Sequence, residues 1–457
     1  MCRAQGGSEH LGVRVRRAGA RTRAAHLLAG APGPARHPER PARRELRAPG
    51  GGGGPGSIMA ELLWRLQDSQ LVARFQRSCG LFPAPDEGPG ENCAGPAEGA
   101  ARSPGLGHLP VARGKGAGEP ANGLRRVAAP QAYVQKYIVK NYFYYYLFRF
   151  SAGLGQEVFY ITFLPFAHWN IDPYLSRRLT IIWVLVMYVG QVAKDILKWP
   201  RPFSPPVVKL EKRVTAEYGM PSTHSMAATA ISFTFLISTV DRYQYPFVLG
   251  LTMAVMFSTL VGLSRLYTGM HTVLDVLGGV LVTAVLIVLT YPAWTLIDRL
   301  DSASPLFPVC VLVVPFFLCY NFPSSDYYSP TRADTTTIMA AGAGVTIGFW
   351  INHFFQLVSK PTEPLPVIQN IPPLTRDLLV LGLSKFTVGI VLILLVRQLV
   401  QNLSLQVLYS WFKVVTRNKE ARRRLEIEVP YKFVTYTSVG ICATTFVPML
   451  HRFLGLL

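Results

Sequence analysis

Charged side chains are scarce here. Asp, Glu, Lys and Arg make up 16% of the 457 residues, and mean hydropathy is +0.26. That composition excludes an ordinary soluble globule and suits a chain that crosses a membrane many times. Acidic residues are scarcer still, 26 against 46 Lys plus Arg, for a formal net charge of +20. The excess is uneven: residues 1–58 hold eleven arginines, three glutamates and no lysine. Their Gly, Pro and Ala content cannot build a core, so they read as a disordered leader, with Met59 as a natural start. An arginine-rich arm is one way to hold nucleic acid; the blander leader reading is preferred, and no nucleic-acid partner is expected. Nor do these residues contain a continuous apolar run of signal-peptide length. The six cysteines show no CxxC and no regular spacing, which speaks against a disulfide framework or a zinc site. No internal repeat is evident.

What is present divides into three regions. After the leader, residues 59–131 open with an amphipathic pattern (MAELLWRLQDSQLVARFQRSCGLF) and continue as a Gly/Pro-rich linker. From 132 to 457 the chain reads as one integral membrane domain, opened by YVQKYIVKNYFYYYLFRF, an interfacial helix or the approach to the first span. A membrane helix needs about 20 mostly apolar residues. Spans are expected near 148–167, 179–198, 224–240, 245–263, 271–292, 305–321, 336–357, 377–396 and 430–450, with 402–415 a tenth, short span or an interfacial helix. The expected fold is all-α: a multi-spanning bundle of about 8–10 helices.

Three polar clusters interrupt the apolar pattern. KDILKWPRP carries Lys194, Arg201 and Pro202 at the end of the second span; GMPSTHS carries Ser222, Thr223 and His224 at the start of the third. SRLYTGMHTVLD joins the fourth and fifth with Arg265, His271 and Asp275. Ionisable groups at such positions are costly, so they read as functional. Because helices alternate in direction, all three clusters fall on one face of the membrane. Lys194, Arg201 and Arg265 are three cations suited to phosphate oxygens. The amides around Ser222 and Thr223, behind Pro221, complete an anion cradle at a helix N-terminus. Asp195, next to Lys194 on a helix, points to a different face. His271 and Asp275, four apart, are expected on one helical face, where the carboxylate holds one ring nitrogen and leaves the other free to attack. His224 is placed to protonate a leaving alkoxide and later to activate water. The clusters offer no grouped carboxylates or cysteines, so no metal ligand and no cofactor is expected. His168 and His353 read as structural.

Lys194 with six residues before Arg201 and Pro202, then Pro221 to His224, then Arg265 with five residues before His271 and three more before Asp275, together resemble the three-part signature of the type 2 phosphatidic acid phosphatase superfamily. Thr223 stands where that signature usually carries glycine. Residues 132–457 are further similar to the sphingosine-1-phosphate phosphatases. The resemblance implies a phosphatase core with His271 as nucleophile, Asp275 orienting it and His224 as general acid and base. It makes Lys194, Arg201, Ser222, Thr223 and Arg265 the phosphate-binding residues. It also implies metal-free hydrolysis of sphingosine 1-phosphate and dihydrosphingosine 1-phosphate, with membrane lipids as surroundings, and a lumen-facing site in the endoplasmic reticulum membrane. Rival readings are a broad lipid phosphate phosphatase, a glucose-6-phosphatase, a phosphotransferase of the same superfamily, or a silent lipid-binding or transport protein. Protein partners are not legible.

Overall fold

A computed structural model describes residues 55–84, 136–211, 217–240, 242–298, 304–323, 330–357, 373, 375–413 and 420–456. The leader before residue 55 and most of the linker lie outside the described residues. In chain order the elements are α1 (Pro55–Gln67), α2 (Ser69–Ser78), β1 (Leu81–Pro83), β2 (Tyr137–Val139), α3 (Tyr142–Leu154), α4 (Glu157–Asn170), α5 (Pro173–Leu197), α6 (Thr223–Thr239), α7 (Phe247–Tyr267), α8 (Val273–Thr290), α9 (Trp294–Asp298), α10 (Phe307–Tyr320), α11 (Pro330–Phe354), α12 (Arg376–Trp411), α13 (Leu425–Ile441) and α14 (Val447–Phe453). The chain is a multi-spanning membrane helical bundle. Among the described residues the strands are a short antiparallel pair, with Leu81 opposite Val139.

The spans differ instructively from expectation. By length and composition five helical stretches suffice to cross a membrane: Pro173–Leu197, Phe247–Tyr267, Val273–Leu296, Arg376–Trp411 and Leu425–Phe453. Two further helices, α6 and α11, are buried along most of their length among neighbours, so they need no lipid-facing apolar surface and can carry many Thr, Ser and Gly. Along α11 and α13 that composition allows close approach: a Cβ on Gly440 would lie 2.6 Å from the Ala341 carbonyl oxygen. The first expected span, 148–167, is two helices divided at Gly155–Gln156. A Cβ at Gly155 would sit 2.9 Å from Val261 Cγ1 and 3.2 Å from His224 Cδ2, so the break brings bare backbone against a site residue. The eighth span and the 402–415 segment are one 36-residue helix, α12. At 1.5 Å per residue it is about 54 Å long, well beyond the ~30 Å hydrocarbon slab. Asn402 of the NLS sequon lies within it.

At the end of the bundle remote from the three clusters, Asp172 caps α5, accepting from Tyr174 N at 2.8 Å, and pairs with Arg242 at 2.7 Å. Arg177 is a fully buried residue of α5 stacked on the Phe349 ring. Arg178, likewise in α5, donates to Ser238 Oγ. His168 is buried edge-on against Phe349, a packing role as expected.

The amphipathic segment also has a structural place. Val72, Ala73 and Gln76 form the buried face of α2. Gln76 donates to the carbonyls of Val208 (2.7 Å) and Tyr267 (2.8 Å) and accepts from Val208 N (2.9 Å). One buried amide thus ties α2 both to the loop after α5 and to the end of α7, between two of the three clusters.

Candidate active site

The loop between α7 and α8 requires one glycine. Gly269 has φ +72, and a side chain there would collide with the Val208 carbonyl oxygen. Its turn lets the chain double back, so that Met270 N donates to Arg265 O and His271 is delivered into the interior.

His271 is not on a helix, contrary to the one-face expectation. It precedes the cap of α8: Thr272 is the N-cap and Asp275 the third helical residue, and the two form a capping box. Asp275 Oδ2 accepts from Thr272 N at 2.8 Å, and Asp275 N donates to Thr272 Oγ1 at 3.3 Å. Capping therefore fixes the carboxylate, and it stands 3.7 Å from His271 Nδ1, which has no hydrogen-bond partner. Both side chains are essentially sealed from solvent. Burial first, then the charges of Arg201, Arg265 and Lys194, hold the His271 imidazole well below its usual pKa. At neutral pH it is uncharged and keeps a lone pair.

The other clusters converge on this point. Ser222 caps α6, and its N–H donates to the Asp275 carbonyl at 3.0 Å, so α6 and α8 start side by side. Gly279 permits this, since a Cβ there would lie 2.9 Å from the Ser222 carbonyl oxygen. The Ser222 amide is thus occupied, and the amides left without a carbonyl within α6 are those of Thr223, His224 and Ser225. Ser222 Oγ accepts from Ser225 Oγ at 3.1 Å. Lys194, fully buried, donates to Thr223 Oγ1 at 2.9 Å. The threonine at the usual glycine position therefore supplies a contact that glycine lacks. Asp195 turns away, as expected, and accepts from Thr331 Oγ1 at 2.8 Å on α11.

Arg201 donates through Nε to the Glu217 carbonyl (2.8 Å), through Nη2 to Glu217 Oε2 (3.1 Å) and through Nη1 to the Met270 carbonyl (3.4 Å). Burial lowers its pKa to about 10 against the opposing pull of Glu217, and it remains a cation at neutral pH. Arg265 is bidentate to Glu211, with Nη1 at 2.9 Å and Nη2 at 3.1 Å, while its Nε has no partner. Lys194 Nζ lies 3.7 Å from Glu217 Oε2. Glu211 and Glu217 did not emerge from the sequence reading. Their signal was available: they are the two acids in the stretch between the first and second clusters, 196–220. No group of three His, Cys, Asp or Glu suited to a metal ion occurs among the described residues.

Buried cations gathered beside a histidine and a carboxylate at one end of the helical bundle make this the candidate active site, and residues 177–298 match the model of the PAP2 superfamily. The chain belongs to the sphingosine-1-phosphate phosphatases within that superfamily. It is 87% identical over 398 residues to human sphingosine-1-phosphate phosphatase 2, spanning 87% of this chain and all of that protein. Rat sphingosine-1-phosphate phosphatase 1 is 37% identical over 428 residues, 88% of this chain and 99% of that protein. A dihydrosphingosine 1-phosphate phosphatase of Schizosaccharomyces pombe is 28% identical over 212 residues, 44% of this chain and 51% of that protein. No solved structure matches.

The Lys194–Thr223 bond makes a prediction. Losing a hydrogen bond to a charged group costs about 1.5–3 kcal/mol, or roughly tenfold and upward in rate if the loss is felt in the transition state. Thr223→Val should lower kcat/KM for phosphate release by about tenfold, whereas Thr223→Ser, which keeps the hydroxyl, should stay within about threefold. Equal activity of Val and Ser variants would show that the hydroxyl does not position Lys194.

Proposed function

We propose that this protein hydrolyses sphingosine 1-phosphate and dihydrosphingosine 1-phosphate to the sphingoid base and inorganic phosphate. The observation that carries the reading is the sealed His271, 3.7 Å from Asp275, at the end of a membrane bundle where Lys194, Arg201 and Arg265 also gather. Lys194, Arg201 and Arg265, with Ser222, Thr223 and the α6 amides, hold the non-bridging phosphate oxygens. His271 Nε2 attacks phosphorus, the P–N bond forming as the P–O bond to the lipid alcohol breaks in line. Asp275, 3.7 Å from Nδ1, orients the ring. His224 takes up a proton as the phosphate dianion offsets the neighbouring cations, gives it to the departing alkoxide, then takes one from the water that cleaves the P–N bond, and phosphate leaves. Every charge handled is met by a cation or an imidazole, so the chemistry asks for no metal.

We also place the enzyme in the endoplasmic reticulum membrane with its site on the lumenal face. Support for that orientation comes from Arg178 and Arg242 at the opposite end of the bundle, the end that the positive-inside rule assigns to the cytoplasm.

Membranes containing wild type should release phosphate from sphingosine 1-phosphate in preference to phosphatidic acid, lysophosphatidic acid and glucose 6-phosphate, and excess EDTA should leave that release intact. Equal turnover of phosphatidic acid points instead to a broad lipid phosphatase, glucose 6-phosphate turnover alone removes the lipid reading, and magnesium-restored activity after EDTA contradicts the metal-free step.

A further inference from the structure

The carboxylates of Glu211 and Glu217 occupy the groups assigned to the substrate phosphate. A glutamate that only braced an arginine would sit behind the guanidinium. Here Glu211 takes both terminal nitrogens of Arg265, the fork a phosphate needs, and leaves Nε bare. Glu217 takes Nη2 of Arg201 and stands near Lys194. Two carboxylates in a phosphate site repel the substrate's charge, and a phosphatase acting on any phosphate monoester is better without them.

We propose that Glu211 and Glu217 are specificity-determining residues: they stand in for phosphate when the site is empty, and on exchange they receive the ammonium of a 2-amino alkyl phosphate. The inference rests on the phosphatase reading above and concerns how that site selects its substrate. A sphingoid-base phosphate carries its ammonium on the carbon next to the one bearing the ester, so both charges reach the same cradle. When the phosphate takes the arginine forks, the carboxylates are released, and the ammonium satisfies them. Both remain near. The Glu217 carbonyl stays bound to Arg201 Nε at 2.8 Å, and beside Glu211 the Leu210 N–H donates to Thr268 O at 3.1 Å. Their side chains are the more open members of the pairs, 17% exposed for Glu211 and 19% for Glu217, against 1% for Arg265 and 7% for Arg201. The carboxylates therefore lie toward the mouth, where the lipid backbone follows its phosphate.

The test compares E211Q and E217Q with wild type on two substrates that share a tail: sphingosine 1-phosphate and its N-acetylated form, in which the ammonium is a neutral amide. Wild type should favour the free amine by at least tenfold in kcat/KM. Either variant should lose most of that preference, chiefly by falling on the amine, with turnover of the acetylated substrate retained or raised. Vanadate, a phosphate mimic without an ammonium, should inhibit both variants at several-fold lower concentration, because no internal carboxylate competes with it. Undiminished preference in both variants overturns the proposal, as does an equal fall on both substrates, which would make the glutamates braces. If wild type acts on neither sphingoid substrate, the functional reading fails separately. The vanadate arm, read on an activated aryl phosphate, then decides the occupancy of the cradle, and unchanged inhibition overturns the proposal.

Discussion

His271→Ala should abolish turnover of every phosphate ester, with a loss on the order of 10⁴-fold or more, the scale expected when a nucleophile acting as a unit with its partners is deleted. The geometry leaves no substitute. His224 lies on α6, and Asp275 is committed to the α8 cap through Thr272. The effect should be independent of the leaving group, because attack on phosphorus precedes or accompanies every departure. Phosphate release from sphingosine 1-phosphate and from an activated aryl phosphate, with the variant's level and thermal midpoint matched to wild type, gives the measurement. Residual activity within a hundredfold of wild type on either substrate would remove His271 from the nucleophile's position. Asp275 is a less clean target than it looked from the sequence. Asp275→Ala also removes the cap acceptor for Thr272 N, so its deficit mixes orientation with helix-end stability of about 0.5–2 kcal/mol.

His224→Ala should divide substrates according to the proton they need. General acid catalysis is commonly worth about 10²–10⁴-fold, so hydrolysis of the sphingoid phosphate, whose alkoxide must be protonated, should fall by that amount. With an activated aryl phosphate the leaving group departs unprotonated, and formation of the phosphoenzyme should recover to within about tenfold of wild type. Breakdown of the intermediate should stay slow, because the same imidazole is needed to activate water. Burst kinetics on the aryl substrate separate the two phases: a burst followed by a slow steady state is expected. Equal losses on both substrates, with no burst, would assign His224 to positioning rather than proton transfer.

The gathering of these residues at one end of the bundle was more legible in the sequence than the architecture that gathers them. Lys194, Arg201, Ser222, Thr223, Arg265 and His271 announce themselves because charge and polarity are expensive between apolar segments, and helix alternation alone places them at one end. Asp195 could be set aside from its phase on the helix, and its bond to Thr331 agrees. The His271–Asp275 spacing suggested the right neighbours for the wrong reason. A separation of four fits a helical face and equally fits a residue ahead of an N-cap with an acid at the third helical position. Hydropathy located α6 and α11 but could not tell that they are shielded by protein rather than lipid, and it missed the helix break at Gly155, where bare backbone packs against Val261 and His224. Gln76 was invisible because it acts across 132 and 191 residues, and no local period reports a tertiary hydrogen bond. Glu211 and Glu217 stood out as the two acids between the first and second clusters, but nothing local named their partners.

The most direct test of the account is to trap the phosphoenzyme. Wild type, His224→Ala and His271→Ala would be mixed with a radiolabelled phosphate ester, quenched under mildly alkaline denaturing conditions that preserve phosphohistidine, and mapped by proteolysis. Label on the peptide containing His271 in wild type, stronger accumulation in His224→Ala with an activated ester, and none in His271→Ala is the predicted result. Label retained in His271→Ala, or mapped to any other residue, would contradict the mechanism.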